Sequence, residues 1–124
     1  MVEHRLAQGA LAAPLHLHSR EDEFSFILEG EVGFHVDGEE LVARVGDLVS
    51  KPRGQWHTFW NAGSSPARIL EIISPAGLEV LFRLLDSSPD LYEPENLLPL
   101  AERYGAKVDF EATFPIVESH KLHF

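Results

Sequence analysis

The chain has 124 residues, 20 acidic against 10 basic side chains, a formal charge of -10 and no cysteine. That length makes one domain burying about two thirds of its unfolded surface, and the acidic balance repels phosphate backbones and anionic membranes, which argues against both as partners. Without thiols there are no disulfides and no thiolate ligands, so any metal must be held by imidazole and carboxylate.

In chain order, residues 2–6 supply one short strand. Residues 1–13 lack a charged segment followed by an apolar one, and no apolar run approaches a membrane span, so a soluble, cytoplasmic protein is expected. Residues 15–19 read as extended, which points His16 and His18 to the same side, roughly 6 to 7 Å apart. A polar turn over 19–22 leads to Glu23 and then to a buried strand over 24–28, so the carboxylate returns beside the two histidines. Val32, Phe34 and Val36 alternate with Gly33 and His35 up to Asp37-Gly38, a hairpin signal, and 41–45 continues on the far side. After the Gly46-Asp47 turn come a strand over 48–50, a turn over 51–54, a strand over 56–60 carrying His57, a turn over 61–66 and an apolar strand over 68–73.

At Ser74 the pattern changes to helix. Ser74 suits the cap and Pro75 the first position, with Leu78, Leu81, Phe82 and Leu85 on one face. A second helix over 94–104 puts Leu97, Leu100, Ala101 and Tyr104 on one stripe and stops before Gly105, with Pro99 expected to kink or split it. Residues 109–124 show too little periodicity to place, and His120 and His123 read as solvated. The expected organisation is a β-barrel over 1–74, with a metal site within 14–61, and a helical extension and tail over 75–124 belonging to the same domain.

Taken singly, His16, His18, Glu23 and His57 each have an ordinary role as a hydrogen-bonded strand histidine or part of a solvated acidic turn. Their joint spacing points instead to one metal ion. The first block fits HxH(x)4E(x)6G at His16, His18, Glu23 and Gly30, and the second fits G(x)5PxG(x)2H(x)3N at Gly46, Pro52, Gly54, His57 and Asn61. In these two blocks the chain resembles the cupin superfamily, although the glycine usual before the first block is displaced by one, with Ala10 in its place and Gly9 beside it. The later segments 74–85 and 100–105 resemble the C-terminal helices of small single-domain bacterial cupins of quercetin dioxygenase type.

The resemblance implies a small antiparallel β-barrel or jelly roll with C-terminal helices, its mouth holding one divalent transition metal (Fe, Mn, Ni, Cu or Zn) on His16, His18, Glu23 and His57. Three imidazoles and a carboxylate leave open positions on a six-coordinate ion, which is a catalytic arrangement. By alternation Ser25 and Ile27 share a face with Glu23, and Phe59 and Asn61 share one with His57, so these four are the candidate substrate contacts in a mostly apolar pocket. Lys51 and Arg53 read as turn residues near the mouth, and Trp56 and Trp60 as packing against a second sheet or a partner.

The resulting expectation is a metal-dependent dioxygenase acting on a small, largely apolar or aromatic chelating substrate, with Glu23 both ligand and proton acceptor. A non-redox isomerase, lyase or hydrolase, or a non-catalytic small-molecule-binding protein, stands as the alternative. The short N-terminal segment leaves one sheet edge exposed, from which a homodimer is expected.

Overall fold

Alternation decides what each strand presents to the interior. In β3 (Asp22–Glu29) Glu23, Ser25 and Ile27 are buried and their neighbours are not. The computed structural model describes residues 1–123; Phe124, where the expected extension and tail over 75–124 end, lies outside the described residues. Among the described residues nine strands form two antiparallel sheets. One sheet has the order β1 (Val2–Leu6), β8 (Ala67–Ser74), β3, β6 (Leu48–Lys51). The other runs β5 (Glu39–Arg44), β4 (Glu31–Val36), β7 (His57–Asn61), β2 (Leu15–His18), β9 (Ala106–Asp109). This is a jelly-roll sandwich with C-terminal helices, as expected.

Between the sheets lies an apolar core, with Ile27, Val49 and Ile69 from one wall meeting Val32, Phe34 and Phe59 from the other. Truncating such a side chain to alanine costs roughly 2 to 5 kcal/mol. The β4–β5 hairpin turns on Asp37 (φ 51) and Gly38 (φ 81), the two positive φ angles that a type I′ turn requires. Gly33 has a different job: a Cβ there would sit 2.2 Å from the Trp60 ring, so its absence lets that ring cross β4. Trp60 packs with Leu11, Leu15 and Ile116, under a helix of the same chain rather than a second sheet or a partner.

The C-terminal third departs from expectation in four places. The first helix, α1, covers Glu79–Ser87 rather than starting at Pro75, because Ser74 is held in the β8 ladder opposite Asp22. The apolar stripe is as expected, with Leu78, Leu81 and Leu85 buried. After a 3₁₀ turn over Pro89–Tyr92, α2 (Pro94–Arg103) runs unbroken through Pro99, which faces solvent and removes a single backbone donor. The segment after it is not only helical: β9 pairs along β2, with His16 opposite Val108 and His18 opposite Ala106.

The tail is ordered as α3 (Phe110–His120), capped where the Asp109 carboxylate accepts the Ala112 N–H at 2.9 Å. His120 and His123 anchor that tail rather than face water freely. The first lies 2.9 Å from Glu40 Oε1 and the second 2.9 Å from the Gln8 carbonyl. No described helix is long and apolar enough to cross a membrane.

Candidate metal centre

The two sheets contribute unequally to one cluster. His16 and His18 share a face of β2, and β7 runs antiparallel to it with His57 directly opposite His16, so one wall supplies three imidazoles. Glu23 comes from β3 in the other wall. The four expected ligands converge, one donor atom from each lying within 4.8 Å of all the others. With metal–nitrogen and metal–oxygen bonds of about 2.0 to 2.2 Å, that span approaches a single coordination shell.

Hydrogen bonds set the histidines up as ligands. His16 Nδ1 lies 2.7 Å from the Pro14 carbonyl and His57 Nδ1 3.1 Å from the Gln55 carbonyl. Each ring therefore donates its Nδ1–H to the backbone and turns the Nε2 lone pair inward. His57 Nε2 and His18 Nε2 both approach Glu23 Oε1 at 3.1 Å. A lone pair facing a carboxylate oxygen at that distance is repulsive unless a cation or a proton lies between them. His18 is 3 % exposed, and neither of its ring nitrogens has a properly aligned hydrogen-bond partner. An unsatisfied buried polar group costs about 1 to 3 kcal/mol, and a divalent ion would relieve that cost.

Burial opposes a proton as the bridging charge. Desolvation, with the neighbouring His57 and His18, holds His16 well below the usual imidazole range. Desolvation lowers His57 too, against the pull of Glu23. Burial works to raise Glu23, but the Lys51 ammonium and the His18 and His57 rings against its oxygen outweigh it and hold the carboxyl well below its ordinary value. Neutral imidazoles around an ionised carboxylate form the donor set that iron, manganese, nickel, copper or zinc accepts. The residues fit a metal ion.

A cavity of about 570 Å³ opens onto His16 and Glu23. Phe59, one of the four expected substrate contacts, lines it; the other three do not. Ser25 is fully buried and donates to Glu71 Oε2 at 2.5 Å, Ile27 sits in the apolar core, and Asn61 is used as a clamp. Its amide donates to the Leu6 and Ser65 carbonyls at 3.0 and 2.8 Å and accepts the Gly63 N–H at 2.9 Å. Alternation placed these three on inward faces, but the inward face includes the closed core as well as the cavity.

Lys51 is not at the mouth. It is 1 % exposed, paired with Glu71, with Nζ 4.5 Å from the Phe59 ring centroid. Arg53 does face water, in an ion pair with Asp22 at 3.0 Å. Sequence reasoning missed His4, Glu71 and Phe82, all on the cavity wall. The alternation Val2-His4-Leu6 was the available signal for the first; for Phe82 it was the helical stripe, which reads as core packing.

Residues 2–73 match the Cupin_2 model, described as a cupin domain. The chain belongs to the cupin family. Over 110 residues it is 34% identical to germin-like protein subfamily 2 member 2 of Arabidopsis thaliana, spanning 82% of this chain and 49% of that protein. It is 40% identical over 58 residues to the oxidoreductase iacF of Pestalotiopsis fici, covering 46% of this chain and 28% of that one. Among solved structures, a sugar phosphate isomerase of the cupin superfamily from Silicibacter pomeroyi superposes with a TM-score of 0.55 at 30% identity, over 60% of this chain and 48% of that one. The chain spans about half the length, or less, of the curated relatives it matches.

Proposed function

We propose that the chain is a metal-dependent dioxygenase for a small, largely aromatic substrate carrying adjacent oxygen donors. The observation that carries this reading is the cavity: it opens onto His16 and Glu23 and is walled by the rings of Phe59, Phe82 and Tyr92. Its rim carries Glu3, Glu79 and Asp86 against Arg83 and the Met1 amino group. That balance disfavours a phosphosugar, although one structural relative is a sugar phosphate isomerase, and an oxidoreductase stands among the sequence relatives.

His16, His18, Glu23 and His57 would hold the ion, which when bound supplies Lewis acidity toward the substrate's oxygens and redox chemistry toward dioxygen. Held ionised, Glu23 can accept the proton of an enolic or phenolic hydroxyl. Phe59 and Phe82 offer ring faces and edges to a planar ligand. Anaerobic reconstitution with Fe, Mn, Ni or Cu, with redox-inert Zn as the control, followed by an oxygen-electrode screen of flavonols, diketones and catechols, tests the reading. Oxygen uptake matched mole for mole by product, without peroxide release, is the expected result. Silence across that panel would overturn the dioxygenase in favour of non-redox metal chemistry or binding alone.

The same reading includes a homodimer. Leu41 and Val42 on edge strand β5 are 44% and 47% exposed, and Val45 and Leu48 beyond it are 64% and 58% exposed, an apolar rim that a second copy would cover. A monomer mass by light scattering at micromolar concentration would overturn it.

A further inference from the structure

Strand β1 turns His4 inward between Val2 and Leu6 while Glu3 and Arg5 face out. The imidazole lies between two aromatic side chains from different layers. Its centroid is 5.6 Å from Phe59 on β7 and 5.2 Å from Phe82 on α1, the latter edge-on. It borders the same cavity as His16 and Glu23 but is not part of the ligand cluster.

The ordinary reading of a histidine on an apolar face is a core residue satisfied by a backbone or carboxylate partner. His4 does not fit it. Among the described residues neither of its ring nitrogens has a hydrogen-bond partner, and it lines open space rather than packed core. The other interior polar wall residues are already engaged: Glu71 with Lys51 and Ser25, and Glu23 and His16 with the metal cluster. Burial, with the nearby Lys51, lowers its pKa to about 4, so near neutral pH the ring offers one donor and one acceptor and no charge.

We infer that His4 is a substrate-binding residue, which hydrogen-bonds a hydroxyl or carbonyl oxygen at the far end of a planar aromatic ligand whose chelating edge meets the metal cluster. This rests on the aromatic-substrate reading and adds specificity to it. His4 selects ligands with a further oxygen beyond the chelating pair, and Phe59 and Phe82 hold its ring in place.

The test uses zinc-loaded protein, so that no turnover consumes the probe, titrated with 3-hydroxyflavone, 3,7-dihydroxyflavone and 3,4′-dihydroxyflavone. All three share one chelating edge and differ by a hydroxyl at one end or the other. The wild-type chain binds one of the dihydroxy probes about tenfold more tightly than 3-hydroxyflavone, the worth of one net hydrogen bond. His4→Phe, which keeps a ring between Phe59 and Phe82, brings that ratio within about twofold while leaving 3-hydroxyflavone affinity within about threefold. His4→Gln, which keeps a donor and an acceptor, retains a preference. Bound zinc stays at one ion per chain in every variant, separating this role from metal ligation.

A preference undiminished in His4→Phe, or no preference in the wild-type chain, would overturn the inference alone. Absence of saturable binding of all three probes to the wild-type chain would overturn the aromatic-substrate reading and this inference with it.

Discussion

Two buried polar clusters lie side by side in this sandwich, and they differ in whether the protein completes them. In the first, Lys51 and Glu71 form an ion pair at 0% and 1% side-chain exposure, and the second Glu71 oxygen takes the Ser25 hydroxyl. Its charges cancel and its polar atoms are matched, as buried charges must be. The second gathers His16, His18, Glu23 and His57, leaves both His18 nitrogens without a partner and turns imidazole lone pairs on a carboxylate. Register links the two, since Lys51 pairs with Glu23 across β3 and β6. A finished cluster is architecture, and an unfinished one beside it is a site.

Breaking the finished cluster gives the largest expected effect. Lys51→Met strands the Glu71 carboxylate in the interior and costs about 3 to 5 kcal/mol by urea denaturation. Adding Glu71→Gln restores most of that, because position 71 no longer carries a charge and Ser25 keeps an acceptor. Completing the unfinished cluster acts in the opposite direction: free zinc at a hundredfold its Kd stabilises the chain by about 2.7 kcal/mol. His18→Ala abolishes that gain in thermal melts.

Acid sharpens the contrast next. His4 has a pKa of about 4 in the folded chain and about 6.5 in the unfolded one, so the unfolded state takes up its proton first as pH falls. The stability it contributes is present above about pH 6.5 and lost down to about pH 4, some 2 kcal/mol for a partly exposed ring. His16 and His57 are lowered too and act with the same sign in metal-free protein. Glu23, lowered below its ordinary value, adds a loss as pH drops through its folded pKa. In His4→Phe the fall in melting temperature between pH 6.5 and 4 is correspondingly shallower. Smallest is Arg53→Ala: its pair with Asp22 faces water, so the urea midpoint barely moves and metal content is unchanged.

The ligand set was legible because it is local in two blocks: strand alternation aligns His16 with His18, and a turn returns Glu23. The pairing of His57 with His16 is long-range, and the motif spacing carried it where periodicity did not. Lys51 was misplaced because the turn residues after it suggested exposure, and only the β6 register shows it facing inward. β9 was invisible since AKVD is too short for a pattern, and its partner β2 lies some ninety residues earlier. α3 hides a Pro115 and buries little beyond Thr113 and Ile116, so its stripe is faint, although Asp109 as its cap was readable. Ile27 and Asn61 show the limit of alternation, which gives the face of a strand and not the depth along it.

The central claim is that the second cluster is completed by a metal ion. Elemental analysis of the metal-reconstituted wild-type chain and of His57→Ala, with circular dichroism to verify that both are folded, tests it directly. The account predicts one ion per chain in the first and close to none in the second; unchanged stoichiometry in His57→Ala would contradict it.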